Sequence, residues 1–131
     1  MSEDLIHRSE PFHPKKLRRK ANVSPESFFE LDLRSGVITS VESFPEMNKP
    51  SYKIEVDFGP VTGRLWSSAQ ICNYEPEELI GKSVVGVLNI GQKSLPTGFL
   101  SHFLILAALE PDGTARLLEV PDGIECGSKI A

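Results

Sequence analysis

The sequence predicts an all-β domain with a few short helices, and three observations predict it. Apolar and polar residues alternate with a period of two along several runs, clearest in "SYKIEVDF", residues 51–58. Turn residues are frequent, with ten Gly and ten Pro in 131 residues. Helical signals are confined to two short stretches. Short strands with many turns indicate a sandwich or a barrel.

Residues 1–23 lack apolar periodicity. Pro11 and Pro14 interrupt them, and "HPKKLRRK", residues 13–20, is a basic run. This segment reads as an extended or partly ordered arm ahead of a domain at 24–131. "SPESFFELD", residues 24–32, reads as a short helix. Ser24 caps it, Pro25 suits its first position and Glu26 favours the positive end of its dipole. Phe28, Phe29 and Leu31 are expected to close one end of the core.

"SGVITSVESF", residues 35–44, is rich in β-branched residues and reads as the first strand. "PEMNKP", residues 45–50, is a loop. In the second strand Tyr52, Ile54, Val56 and Phe58 share one face. Gly59-Pro60 is expected to turn the chain into a third strand, "VTGRLWSS", residues 61–68. "YEPEELIGK", residues 74–82, is a short helix with Pro76 near its start and Gly81 at its stop. "SVVGVLNI" is a fourth strand, "GQKSLPTG" a turn-rich loop at 91–98, and "FLSHFLILAAL" one continuous fifth strand at 99–109. A sixth short strand, "ARLLEV", and a Gly- and Pro-bearing tail end the chain. A small helix between the third and fourth strands fits the five-stranded oligonucleotide/oligosaccharide-binding (OB) barrel best.

Composition narrows the function classes. The net charge is −4, divided unevenly. Residues 1–23 carry six Lys/Arg and three Asp/Glu; the remainder carries eight and fifteen. A basic arm therefore precedes an acidic body, which as a whole repels phosphates unless local positive patches reverse it. No apolar run approaches the ~18 residues of a membrane span, and the start has no apolar core of a signal peptide. A cytoplasmic location is expected. Cys72 and Cys126 are read as free thiols in a reducing compartment. They form no ligand cluster with His7, His13 and His102, so no metal and no cofactor is assigned.

"RLWSSAQICNY", residues 64–74, sets hydroxyls and an amide beside the only tryptophan. Ser67, Ser68 and Gln70 supply donors and acceptors. They either face a ligand or satisfy backbone groups where strands end. Trp66, Tyr74, Phe99 and His102 are candidate stacking surfaces, though Trp66 reads first as a core or dimer-interface residue. Ser101 beside His102 suggests a nucleophile and its base. Neighbours on a strand point to opposite faces, however, and no acid orients the His, so the chain is read as non-catalytic.

Four stretches carry a family likeness: "FFELDLRSGVI", "YEPEELIGKSVVGVLNI", "GFLSHFLILAA" and the Pro-Asp…Gly-Ser-Lys-Ile ending. In this order they resemble the tRNA-binding domain family, which includes C-terminal domains of some methionyl-tRNA synthetases and free-standing relatives. "SSAQI" is more similar to its CsaA branch, the export-related chaperone-like proteins. The likeness runs from about Phe28 to Ile130, leaving the arm outside. It implies an OB barrel that usually dimerises. It also implies a binding site at the barrel mouth, where the segment after the third strand meets the loop between the fourth and fifth. Asn89 matches the Asn that ends the family's fourth strand, Lys93 falls in its usually basic loop, and Gly98 and Ser101 match its Gly-x-x-Ser. The chain departs from the pattern in a loop one residue longer, with one cation where relatives often hold several. Phe103-Leu104 stands where many tRNA-binding members have Gly-Met.

The expected function is binding of tRNA or other RNA by a homodimeric module. Ser67, Ser68, Gln70, Asn89, Lys93 and Ser101 converge at one rim. Lys15, Lys16, Arg18, Arg19 and Lys20 contact phosphates, or else fold onto the chain's own acidic body. Two other partners remain open: unfolded polypeptide clients in a CsaA-type groove, and a larger synthetase complex on which the module docks.

Overall fold

The computed structural model describes residues 12–131, so the first eleven residues of the expected arm lie outside the described residues. A five-stranded antiparallel sheet forms the body in the order β3-β2-β1-β4-β7. Its strands are β1 (Leu33–Ser43), β2 (Tyr52–Asp57), β3 (Arg64–Ala69), β4 (Ser83–Val87) and β7 (Leu104–Ile105). The His102 amide donates to the Trp66 carbonyl at 2.9 Å, tying the chain just before β7 to β3 and nearly closing the barrel. The expected OB-type fold is therefore present.

The long first strand makes closure feasible. Its first half pairs with β4, from Leu33 opposite Val87 to Val37 opposite Ser83. Its second half pairs with β2, and the register slips between Ile38 and Ser40. The extra residue, Thr39, is a bulge that bends and twists the strand between its two partners. The Thr39 hydroxyl donates to the Glu55 carboxylate at 2.9 Å.

Alternation fills the interior. Ile54, Val56 and Phe58 are buried, as their period predicts, and pack with Ile38, Ile71, Leu79, Val84 and Phe103. Phe58 needs room from two glycines. A Cβ on Gly86 would stand 2.6 Å from its ring, and one on Gly36 would stand 2.8 Å away. Phe103 meets the Phe58 ring edge-on, at 5.0 Å between centroids. The second expected helix is α3 (Pro76–Leu79). Glu75 and Glu78 form a reciprocal capping box, and Leu79 plugs the core.

Four sequence expectations need correction. The first helix, α1, is only Pro25–Phe29, capped by Ser24 as expected, but Phe28, Phe29 and Leu31 are exposed at 43%, 65% and 42%. Five residues are too few to turn a full apolar stripe inward. Gly59-Pro60 is not a tight turn but the start of a helical turn, α2 (Gly59–Thr62), bounded by positive-φ Gly59 and Gly63, so the third strand begins at Arg64. The 91–98 loop contains β5 (Lys93–Ser94), which pairs with β6 (Leu100–Ser101) as a small hairpin. The fifth strand is broken into β6, β7 and β8 (Ala107–Leu109), because the chain changes partner at each break. It leaves β5, crosses β3, pairs with β4 and then pairs with β9 (Ala115–Leu117).

The tail covers the free side of β1. The Ser128 carbonyl accepts from the Ser35 amide at 2.9 Å, and the Ile130 amide donates to the Leu33 carbonyl at 3.0 Å. The Ser35 hydroxyl donates to the Glu125 carbonyl, and Arg34 donates to the Gly127 carbonyl. On the outer face of β1 and β4, Leu33, Val85 and Val87 form a second apolar cluster with Leu106, Val120 and Ile130.

Candidate nucleic-acid interface

Period-two geometry divides Ser67, Ser68 and Gln70. Ser67 points inward at 1% exposure. Its hydroxyl lies 2.7 Å from the Phe103 carbonyl, to which it donates, and 2.9 Å from the Ser101 hydroxyl. Ser68 lies on the other face, opposite Lys53 of β2. Gln70 is exposed just beyond β3. Lys93 stands opposite Ser101 in the β5–β6 hairpin and is also exposed. Ser67, Ser101 and Lys93 are therefore contiguous, with Ser67 sealed beneath the other two.

Asn89 spends its amide differently. Its Oδ1 accepts from the Asp32 amide at 2.7 Å, and its Nδ2 donates to the Glu30 carbonyl at 2.7 Å. Both ends of the side chain hold the connection between α1 and β1. This is a strong local restraint on the chain entering the barrel.

The structure adds a feature that the sequence reading missed. A shallow hollow of about 430 Å³ opens on the outer face of β1–β3, beside the β5–β6 hairpin. Glu42, Lys53, Trp66, Phe99, Leu100 and His102 line it. Three of the four expected stacking residues thus meet there. Tyr74 does not: its hydroxyl accepts from the Leu117 amide at 3.1 Å, and the Lys82 ammonium stands 5.8 Å from its ring centroid. Lys53 is the principal omission. Its ammonium lies 4.8 Å from the Phe44 ring centroid and 5.1 Å from that of Phe99. The signal was present, since Lys53 is an outward member of the most regular strand. What the sequence lacked was the neighbour, Phe99, which arrives from 46 residues further along.

The described part of the arm is exposed throughout its basic run. His13 starts a turn, its carbonyl accepting from the Lys16 and Leu17 amides. Ahead of it, the Phe12 ring rests on Gly113 at the tip of the β8–β9 hairpin, where a Cβ would come within 3.2 Å of the ring. The arm is thus anchored at Phe12 and again at the Ser24 cap of α1. Among the described residues, Lys15, Lys16, Arg18 and Arg19 make no ion pair. No cluster of three or more His, Cys, Asp or Glu that could hold a metal occurs among the described residues. Cys72 and Cys126 are free, and burial pushes the Cys72 thiol above its ordinary value.

The sequence profile of the tRNA binding domain family matches residues 33–129, the whole barrel and its tail. The chain belongs to that family. Its relatives fall into two groups. The methionine--tRNA ligase of Methanocaldococcus jannaschii is 36% identical over 101 residues, which cover 77% of this chain and 15% of that one. The Methanococcus vannielii ligase is 35% identical over 128 residues, 98% of this chain and 19% of that one. The chain spans less than a fifth of the length of these ligases. Among solved structures, the CsaA chaperone protein of Picrophilus torridus is 42% identical, with a TM-score of 0.78 over 84% of this chain and all of that one. The chaperone CsaA of Bacillus anthracis is 38% identical, with a TM-score of 0.75 over 85% of this chain and all of that one.

Proposed function

We propose that this chain is a non-catalytic tRNA-binding module of CsaA type, acting in the cytoplasm as a homodimer. The observation that carries the proposal is the hollow on the outer face of β1–β3, flanked by the β5–β6 hairpin. OB barrels hold oligonucleotides on this strand 2–3 face and on the loops beside it. Ser68 shares this face with Lys53 and Gln70 lies just beyond it, as donors to phosphate and sugar, while Lys93 and Ser101, paired across the hairpin, would serve at the barrel mouth above Ser67. Ser67 and Asn89 spend their polar groups within the fold, on the Phe103 carbonyl and on the backbone between α1 and β1. Lys15, Lys16, Arg18, Arg19 and Lys20 add the positive charge that the acidic body lacks. The match to the Methanococcus vannielii ligase covers 98% of the chain, so it necessarily takes in most of this arm.

Dimerisation would use the apolar outer face of β1 and β4. Leu104 stands opposite Val87 there and is 51% exposed; Leu118, which bonds to Leu106, is 44% exposed. Apolar residues gathered on an outer sheet face gain from a partner's cover.

The test is a gel-shift titration of total tRNA against the chain with and without residues 1–23, at several salt concentrations. Binding that weakens steeply with salt, and weakens again without the arm, is the expected result. A flat salt dependence would sink the phosphate-driven part.

A second reading is favoured by the match to CsaA chaperones, which takes in the whole of their chains: binding of unfolded or export-bound polypeptide. Suppression of the aggregation of a denatured client, undiminished by competing tRNA, would select it.

A further inference from the structure

The basic arm is a strap, held at both ends. It lies ahead of residues 33–129, which the family profile matches. Between the Phe12 contact and the Ser24 cap it carries Lys15, Lys16, Arg18, Arg19 and Lys20 and no acidic residue. Residues 13–23 are all exposed. The His13 carbonyl accepts from the Lys16 and Leu17 amides at 2.9 and 3.2 Å, which folds the start of the run into a turn and gathers its cations. From Ala21 to the end of the chain, no two cations are neighbours in sequence. Four of them, Arg34, Arg64, Lys82 and Arg116, each face a carboxylate within 4.0 Å. Positive charge is therefore concentrated on the strap.

Concentrated charge without rings selects backbone over bases. Residues 13–23 include no Phe, Tyr or Trp on which an unpaired base could stack, and the His13 Nδ1 accepts from the Lys15 amide. What the strap offers is cations for phosphates. Its two anchors favour a stiff partner. At one end the Phe12 ring rests on Gly113, at the tip of the β8–β9 hairpin. At the other, Ser24 caps α1, whose connection to β1 is held by Asn89. A cation cluster fixed at both ends loses little freedom on meeting a rigid surface. A paired stem is such a surface. Its two strands hold their phosphates in place and pack them more densely than one strand does. The elements that hold the strap, α1 and the β8–β9 hairpin, are not among those that line the hollow over β1–β3.

We propose that the anchored strap is a docking surface for the sugar-phosphate backbone of a paired RNA stem, separate from the strand 2–3 face of the barrel. The proposal rests on the RNA-binding reading above and names the part of the RNA that the strap takes. A folded tRNA carries stems and unpaired segments together, so one molecule can engage both surfaces.

The test is a gel-shift titration of the full chain at several salt concentrations with two RNAs: a blunt duplex of about 16 base pairs and an unpaired oligouridine of the same strand length. The parent should shift both. Replacing Lys15, Lys16, Arg18, Arg19 and Lys20 by Gln should weaken duplex binding at least about tenfold. It should lower the duplex salt slope by about 0.9 for each phosphate released, and leave oligouridine affinity within about threefold of the parent. Phe12→Ala should weaken duplex binding about threefold or more with the slope unchanged, because the cations remain and only their placement is lost. Phe12→Tyr should restore it. Equal losses for duplex and oligouridine, or a duplex shift untouched by the five substitutions, would overturn the stem assignment. So would full duplex affinity in Phe12→Ala, since the anchored geometry would then contribute nothing. A parent that shifts oligouridine and not the duplex would overturn the assignment while sparing the RNA-binding reading. A parent that shifts neither RNA, nor total tRNA, would remove that reading itself.

Discussion

Ser67 and Ser68 are chemically identical neighbours with different work. The Ser67 hydroxyl satisfies the Phe103 carbonyl and the Ser101 hydroxyl inside the barrel, whereas Ser68 lies on the outer face opposite Lys53. Ser67→Ala should therefore cost about 1–3 kcal/mol of stability, the penalty of leaving buried polar groups unpaired. Urea denaturation would show it as a lower midpoint. RNA affinity, measured well below that midpoint, should stay within about twofold of the parent, a difference of about 0.4 kcal/mol. A large loss of affinity with unchanged stability would place Ser67 in the interface after all. Asn89 follows the same logic, since its amide closes two backbone bonds around α1. The sequence made both residues conspicuous as polar groups near strand ends. It did not tell inward from outward, because that depends on Ser67 standing opposite the buried Ile54.

Elements meet where glycine lets them. Gly36 of β1 and Gly86 of β4 leave the space that the Phe58 ring occupies. Gly86→Ala should overpack that contact at about 1–3 kcal/mol. Calorimetry should record a lower Tm, and Phe58→Leu in the same chain should recover part of it. The arm is a second such case. Phe12 resting on Gly113 holds its start, so Phe12→Ala should free the basic run. Limited trypsin digestion should then cut between residues 15 and 20 faster than in the parent, with the barrel intact. An unchanged cleavage rate would mean that the Phe12 contact restrains nothing. The second strand, the Ser24 cap of the first helix and the Gly81 stop of the second were legible in the sequence, because local alternation and end residues encode them, whereas the Glu75–Glu78 capping box was not read. The broken fifth strand was not. Its residues remain apolar throughout while its partners change, and partners are not a local property.

The molecule as a whole is an acidic barrel with a basic strap, net −7 against +3 by sequence. If the strap binds phosphates, replacing Lys15, Lys16, Arg18, Arg19 and Lys20 by Gln should flatten the plot of log affinity against log salt. The slope should fall by about 0.7–0.9 for each phosphate that is no longer neutralised. An unchanged slope would mean that the strap faces its own acidic body. At the opposite pole of the design is the apolar outer face. Leu104→Glu would put a charge beside Val87 on the proposed dimer surface. Sedimentation should show the parent as a dimer and the variant as a monomer with native-like circular dichroism. A parent that sediments as a monomer at micromolar concentration would remove the dimer.

The amino-acid order alone determined the strand-rich character, the short helices and the separation of basic arm from acidic body, which are written in spacing and composition within a few residues of each other. The family was legible from the resemblance of four motifs taken in order along the chain. The folded chain alone decided which serine is sealed, that Asn89 serves the backbone, and that Lys53, Trp66, Phe99 and His102 share one hollow. Those outcomes depend on register and closure, through which side chains tens of residues apart are brought within a few ångströms.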